Sequence, residues 1–302
     1  MSRLSRWQFK LARLRDRITS SVRSEASPGR PRLCPNCRTL VGSTATRCHE
    51  CGASLTFSLA AASRSLSALL PATSPATYFI LGLNLLLFTA SLLVTMRATD
   101  QLNLFGNIQP QVLQRLGASL PLPCDLLQPW RLVMAVFLHG GLLHIGMNCW
   151  VLMDIGPMVE EVYGSARYLF IYVFTGVAGF VLSSYRYHFS IGASGALMGL
   201  IGVMLAITTR RGGAYMQMVR SQLIRWVVYI LLFGFFVGGI DNLAHIGGLA
   251  AGFLLGRIMA DREPVTAEER RRAYWLGWVA GLAILASILF MLQSYFQTTP
   301  LR

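Results

Sequence analysis

Long apolar stretches separated by short polar segments dominate the chain from residue 77 onward. A helix needs about 17–25 mostly apolar residues to cross the hydrocarbon core of a bilayer. Seven stretches reach that length, at 77–96, 132–153, 166–185, 193–209, 223–240, 243–260 and 274–293. The pattern therefore predicts an all-α polytopic membrane protein with seven spans.

The composition agrees with a membrane protein and argues against a soluble protein that binds nucleic acid. Hydrophobic residues make up 54% of the chain and charged residues only 13%, whereas soluble domains carry about 25% charged residues. The net charge of +14 is interpreted through the membrane, because Arg and Lys near spans set their orientation. We expect the lipid bilayer, and no nucleic acid, as a partner.

The basic residues fall mostly on one side of the predicted spans. With the N-terminus inside, the outer side contains five of the 27 Arg and Lys residues, and the inner side contains the remaining 22. The outer five are Arg97, Arg115, Arg131, Arg186 and Arg302. Cytoplasmic loops are enriched in basic residues. We therefore predict a multi-pass protein of a bacterial inner (plasma) membrane with a cytoplasmic N-terminus.

The segments before the first span differ in composition from the rest of the chain. Residues 1–33 are rich in arginine, with apolar residues recurring every three or four positions. Such a segment is either a basic amphipathic helix at the anionic inner leaflet or a disordered basic tail, and a mitochondrial transit peptide has a similar composition. Residues 56–76 are rich in Ser and Ala with two prolines, which predicts a linker.

Four cysteines lie between these segments with the spacing C-x2-C-x10-C-x2-C, at Cys34, Cys37, Cys48 and Cys51. Two such pairs supply the four thiolates of a tetrahedral zinc site, and so short a segment has no core of its own to fold around. We predict a zinc-ribbon-like domain at 34–55 with a structural zinc ion and an unidentified cytosolic partner. Two disulfides are the alternative, which a reducing cytosol disfavours. His49 could substitute as a ligand.

Three predicted spans carry polar side chains near their beginnings. Span two contains His139, His144 and Asn148, the last two on one helix face at i and i+4. Ser194 opens span four in the sequence GASG, and His245 opens span six in DNLAHIGG. Because spans two, four and six run in the same direction, these groups fall at a similar depth near the outer face. Polar side chains inside a membrane usually line a functional cavity.

A serine and a histidine at matching depth predict a nucleophile and its general base. We assign these roles to Ser194 and His245, with N–H groups of His144, Asn148 and the start of span four as oxyanion donors. A helix cap or a packing residue are the other roles open to Ser194. Asp241, four residues before His245, either caps the helix or orients the imidazole. We favour the cap, and hence a catalytic dyad that needs no cofactor.

Glycines recur along the two spans that carry the serine and the histidine. They are Gly195, Gly199 and Gly202 in span four, and Gly248, Gly252 and Gly256 in span six. Small residues at this spacing allow two helices to approach closely. We expect these spans to pack against each other and so to bring Ser194 to His245.

Together these motifs resemble the rhomboid family of intramembrane serine proteases over about residues 77–260. The resemblance rests on WR at Trp130–Arg131, HGGLLHIGMN in span two, GASG before span four and AHIGGLAAG in span six. It implies a six-helix rhomboid-like core and hydrolysis of membrane proteins that have a transmembrane segment, near the outer face of the membrane. It also implies that Trp130 and Arg131 shape the outer loop.

For the site, the resemblance implies Ser194 as nucleophile, His245 as base, and His144 and Asn148 in the oxyanion hole with the Ser194 backbone N–H. His139 corresponds to a further family histidine with a structural or water-organising role.

Some features depart from the family pattern. Met198 lies four residues after the nucleophile, where some relatives carry an aromatic ring against the catalytic histidine. Residues 261–302 add a loop and a seventh helix to the core at 77–260, and the zinc-ribbon-like domain is a further addition. The alternative function is a non-proteolytic rhomboid-like protein that binds or escorts membrane helices, although the chain keeps both Ser and His. A transporter or channel would need charged residues deep in several spans, and the spans contain few.

Overall fold

The computed structural model describes residues 32–34, 39–42, 45–51, 73–99, 107–186 and 189–297. The chain divides into two compact units, residues 1–69 and 70–302. The predicted amphipathic helix or tail at 1–33 (apart from its last two residues), Cys37 and most of the linker at 56–76 lie outside the described residues. The domain boundaries proposed from the sequence therefore stay a prediction.

The first unit contains a short antiparallel hairpin. Its strands are β1 (Arg32–Leu33) and β2 (Leu40–Val41), with Arg32 opposite Val41. Cys34, Val41 and Cys48 are buried in a small cluster, against which Ala45 packs.

The second unit is helical, as the sequence predicts. The helices described in it are α1 (Pro75–Thr99), α2 (Pro110–Arg115), α3 (Cys124–Leu127), α4 (Trp130–Ala135), α5 (Leu142–Tyr163), α6 (Ser165–Ser183), α7 (Ser194–Arg210), α8 (Ala214–Phe236), α9 (Asn242–Ile258) and α10 (Ala267–Gln297). Five of them, α1, α5, α6, α8 and α10, are long and apolar enough to cross a membrane. The prediction of an all-α polytopic membrane protein is confirmed.

The other two long helices, α7 and α9, have 17 residues each, about 26 Å at 1.5 Å per residue. Nearly every residue of α7 is buried, because α5, α6, α8 and α9 all contact it. By contrast, α8 has no buried residue. Helix α10 packs mainly against α6 and α4. Helix α7 is thus a short apolar helix at the centre of the unit. Its first residue, Ser194, lies at one end of the helix bundle.

The predicted boundaries of two spans are wrong. Span two was placed at 132–153, whereas the structure has α4, a loop and then α5 beginning at Leu142 and continuing through Pro157. Residues 132–138 are apolar because they are buried in protein, which hydropathy does not distinguish from lipid. Span five was placed at 223–240, but α8 runs from Ala214 to Phe236. Arg220 lies in the first turns of α8, where it is not buried. Its charge interrupts the apolar sequence pattern, but the helix continues through it.

The residues between the first two predicted spans, 97–131, fall outside in the predicted orientation (the outer segment), and their part at 107–131 folds back onto the helices. Ile108, Val112, Leu113 and Leu116 are buried in the common core, and Ser119 forms an antiparallel backbone bridge with Ser190 just before α7. The apolar residues at 102–105 lie outside the described residues.

The buried carboxylate of Glu160, near the C-terminal end of α5, joins three helices. Glu160 accepts hydrogen bonds from the N–H groups of Ala76 (2.9 Å) and Thr77 (2.8 Å), from the Thr77 hydroxyl (2.7 Å) and from the Ser165 hydroxyl (2.7 Å). The first N–H groups of a helix have no partner within it, so Glu160 supplies one for α1. This single side chain therefore fixes α1, α5 and α6 relative to one another.

Candidate active site

Ser194 and His245 meet at the beginnings of α7 and α9. The Ser194 Oγ lies 2.8 Å from the His245 Nε2, which is hydrogen-bond distance. Ser194 is the first residue of α7 and His245 the fourth of α9, so both stand at the same end of neighbouring helices. His245 is 4% exposed, so its imidazole is held in one environment.

Glycines allow this approach, as predicted. A Cβ on Gly248 would overlap the carbonyl oxygen of Gly195, and one on Gly252 would overlap that of Gly199. A Cβ on Gly256 would lie 2.9 Å from the Val203 carbonyl oxygen, closer than real Cβ contacts allow. The seam between α7 and α9 is therefore backbone against backbone along its whole length.

The predicted helix cap at Asp241 is present. Its Oδ1 accepts a hydrogen bond from the Ala244 N–H at 2.9 Å. Its Oδ2 accepts from the Ser190 hydroxyl at 2.5 Å and from the Ser183 hydroxyl. The His245 Nδ1 is buried with no hydrogen-bond partner among the described residues. Within the described structure the Asp241 carboxylate therefore makes no hydrogen bond to the His245 imidazole.

His144 faces the same small space as Ser194. Gly192 has φ of +123°, and a Cβ built on it would lie 2.6 Å from the His144 Nε2 and 3.8 Å from the Ser194 Oγ. The His144 Nδ1 accepts a hydrogen bond from the Gly140 N–H at 3.4 Å, so the proton belongs on Nε2. The His144 imidazole and the Ser194 hydroxyl thus both lie beside Gly192, where the absence of a Cβ leaves room for the imidazole.

Asn148 and His139 both contact His144. The Asn148 Nδ2 donates to the His144 carbonyl oxygen at 3.0 Å, so one of its two amide hydrogens is bound within its own helix. His139 lies before α5, fully buried, with its ring edge-on to the His144 ring at 5.1 Å. Its Nδ1 lies 3.2 Å from the Phe137 carbonyl oxygen. His139 therefore packs against His144 rather than against Ser194.

The remaining predicted residues are structural in their contacts. Arg131 donates to the Gln128 Oε1 (2.6 Å) and to the Gln114 carbonyl oxygen (2.6 Å), and its guanidinium lies 4.8 Å from the Trp130 ring. It thereby ties the short helices of the outer segment together. Met198 is 1% exposed within the apolar core.

Sequence reasoning missed three contributors to this region. Gly192 was not singled out, because its positive φ and its contact with His144 follow only from the fold. Ser183 and Ser190 were not singled out either, because hydroxyls in apolar helices and loops are common. The signal that could have found them is Asp241 itself, since a carboxylate at a span end needs several donors.

The chain is similar to known proteins over the helices that carry these residues. The Rhomboid domain model matches residues 126–262, a range that contains Ser194, His245, His144 and Asn148. Rhomboid protease GluP of Bacillus subtilis is 39% identical over 128 residues, which are 41% of this chain and 25% of that protein. RHOMBOID-like protein 4 of Arabidopsis thaliana is 38% identical over 140 residues, 44% of this chain and 34% of that protein.

A second Bacillus subtilis protein, the rhomboid YdcA, is 31% identical over 138 residues, 44% of this chain and 69% of that protein. The chain thus spans a quarter to a third of the length of the first two relatives and two thirds of YdcA. With a family domain over the helices that carry the site, and a relative matched over most of its length, the chain belongs to the rhomboid family.

Proposed function

We propose that this protein is an intramembrane serine endopeptidase that cleaves membrane proteins within or beside a transmembrane segment. The observation that carries the proposal is the 2.8 Å contact between the Ser194 Oγ and the His245 Nε2 at the ends of two short, buried helices. The matched relatives that are named proteases include GluP and a Toxoplasma gondii rhomboid-like protease.

In this proposal the His245 Nε2 removes the Ser194 hydroxyl proton as Oγ attacks the substrate carbonyl carbon. The imidazole then gives that proton to the leaving amine, and water hydrolyses the acyl-enzyme. Nδ1 carries the proton of the neutral imidazole, because Nε2 must accept from the hydroxyl.

The oxyanion would form beside the Ser194 Oγ, at a point within reach of the His144 ring that packs on Gly192. The His144 Nε2–H faces that point, and the backbone N–H groups of Ser194 and Gly195 are without partners inside α7. Such donors are most effective where charge develops in a site shielded from water. Asn148 contributes by fixing the His144 turn and by its second amide hydrogen.

The substrate must present an accessible carbonyl, and an intact transmembrane helix does not. We infer that it unwinds locally, so helix-breaking residues near the scissile bond should favour cleavage. Entry past α8 is supported by that helix having no buried residue and by the exposure of Phe233, Phe235 and Phe236.

The proposed location is a bacterial inner membrane with the N-terminus in the cytoplasm. The support is the bias of 22 basic residues to five between the two sides of the spans. Seven spans then place the site and the C-terminus outside. A C-terminal alkaline phosphatase fusion should be active and an N-terminal fluorescent protein fusion fluorescent; the reverse pattern would invert the orientation.

The decisive experiment compares wild type, Ser194→Ala and His245→Ala in proteoliposomes with a tagged single-span substrate. Each variant should lower the cleavage rate by at least about a thousandfold. Ser91→Ala is the matched control, because Ser91 is buried in α1 and donates only to the Leu87 carbonyl oxygen. Cleavage that persists in both site variants would reject the dyad, and no cleavage by wild type would favour a non-proteolytic binding protein.

A further inference from the structure

Three thiols meet in the first unit, far in sequence from the serine–histidine site. The sulfur atoms of Cys34, Cys48 and Cys51 all lie within 4.8 Å of one another. The Sγ atoms of Cys34 and Cys51 are 3.6 Å apart. Four sulfurs around a zinc ion at about 2.3 Å stand about 3.8 Å from one another. The cluster therefore has the spacing of metal ligands and not that of bonded sulfurs, which is about 2.05 Å.

The hairpin brings Cys34 close to Cys48 and Cys51. Cys34 directly follows β1, and its N–H donates to the Thr39 carbonyl oxygen at 2.8 Å just before β2. The Ala45 N–H then donates to the Gly42 carbonyl oxygen at 3.1 Å, which turns the chain toward Cys48. The chain turns again at 49–51, so Cys48 and Cys51 share a tight turn, as thiolate pairs in structural zinc sites do.

The apolar contacts described here are too few to hold this fold. The buried cluster consists of Cys34, Val41 and Cys48 with Ala45 packed on it, and two of its buried members are the ligands themselves. Segments this short fold only with a metal, disulfides or a partner.

The sequence spacing indicates Cys37 as the fourth ligand, although Cys37 lies outside the described residues. It follows Cys34 by three positions, as Cys51 follows Cys48. His49 is a weaker candidate, because its side chain is 62% exposed and its Nε2 lies 3.8 Å from the Glu50 carboxylate.

We propose that Cys34, Cys37, Cys48 and Cys51 bind one zinc ion as a tetrathiolate, and that this ion folds the first unit. The site is independent of the proposed proteolysis. Tetrahedral sulfur sites accept zinc or iron; zinc is assigned because a structural site needs no redox change.

The experiment uses the full chain with Ser194→Ala, purified in detergent without chelator, so that the result does not depend on activity. Elemental analysis should find about one zinc ion per chain. Cobalt(II) exchanged into the site should show the charge-transfer and d–d absorption of four thiolates in a tetrahedron. Cys34→Ser and Cys51→Ser should each lower zinc content at least about tenfold, and chelation should expose the first unit to limited proteolysis.

Cys124→Ser is the matched control, because Cys124 is an exposed cysteine in α3 of the other unit; it should retain one zinc ion. Zinc content well below one ion per chain, stoichiometric iron, or thiols that titrate only after reduction would each overturn the proposal. Full zinc binding by Cys51→Ser would overturn the ligand assignment.

Discussion

Asp241 and His245 lie one turn apart, yet the Asp241 carboxylate accepts its hydrogen bonds from Ser183, Ser190 and the Ala244 N–H. It is linked to His245 only through the backbone, where the His245 N–H donates to the Asp241 carbonyl oxygen at 3.2 Å. The carboxylate thus positions the end of α9, and with it the imidazole, by tying it to α6 and to the segment before α7.

Replacing the Asp241 carboxylate tests whether the position of the His245 imidazole matters for activity. Asp241→Ala removes a helix cap, worth about 1 kcal/mol, and leaves hydroxyl groups unsatisfied, at about 1–3 kcal/mol for a buried polar group. We expect a lower unfolding temperature and a lower kcat with little change in KM. Asp241→Asn keeps an acceptor for Ala244 and should fall between Asp241→Ala and wild type.

The control for this experiment is Asp154→Ala, which removes an exposed carboxylate from α5. It should leave kcat and the unfolding temperature near the wild-type values. Equal losses in Asp154→Ala and Asp241→Ala would contradict a specific role for the cap.

The glycine seam makes a sharper prediction. In Gly248→Ala the new methyl group would overlap the Gly195 carbonyl oxygen, so α7 and α9 must separate. Overpacking of this kind costs about 1–3 kcal/mol, and the 2.8 Å hydrogen bond would lengthen. Cleavage should fall by more than about tenfold, measured beside thermal unfolding in detergent. Gly146→Ala in α5 is the matched control, because a Cβ there meets nothing within 4 Å; a comparable loss in it would refute the seam.

Two adjacent glutamates allow a paired test of the hydrogen bonds by which Glu160 joins α1, α5 and α6. Glu160 is buried and accepts four hydrogen bonds, whereas Glu161 is exposed. Glu160→Gln replaces one acceptor oxygen by an NH₂ group facing donors, which leaves buried N–H groups unsatisfied at about 1–3 kcal/mol. We expect a clearly lower unfolding temperature for Glu160→Gln and almost none of that change for Glu161→Gln. Similar unfolding temperatures for the two variants would show that the Glu160 hydrogen bonds contribute little to stability.

A pH dependence follows from an ion pair between Arg211, just after α7, and Asp261, in the loop between α9 and α10. The hydrogen bond from the Arg211 Nε at 2.7 Å holds the pKa of Asp261 below its usual value. A lowered carboxyl pKa means that the contribution to stability is present at neutral pH and is lost as pH falls through that pKa. Asp261→Asn should therefore destabilise slightly at pH 7 and not at strongly acidic pH. A difference that grew on acidification would have the wrong sign.

Much of the site followed from local sequence pattern. The i and i+4 spacing of His144 and Asn148, the position of Ser194 at a helix start and the glycine repeat all depend on helix periodicity. Gly192 and Glu160 did not follow, because a positive φ beside a histidine and four donors around one carboxylate arise from segments distant in sequence. The boundaries of span two were wrong for a related reason: apolar residues buried in protein have the same pattern as those facing lipid.

The contact of Glu160 with α1 has a consequence for biosynthesis. Glu160 lies 84 residues after Ala76, so α1 is made and inserted long before its carboxylate partner leaves the ribosome. Until then the first N–H groups of α1 depend on water at the membrane surface. Once α5 and the start of α6 have been made, Glu160 can replace that water and hold α1, α5 and α6 together. The order of synthesis thus sets when this contact can form, because α1 lacks its carboxylate partner until the chain has reached the start of α6.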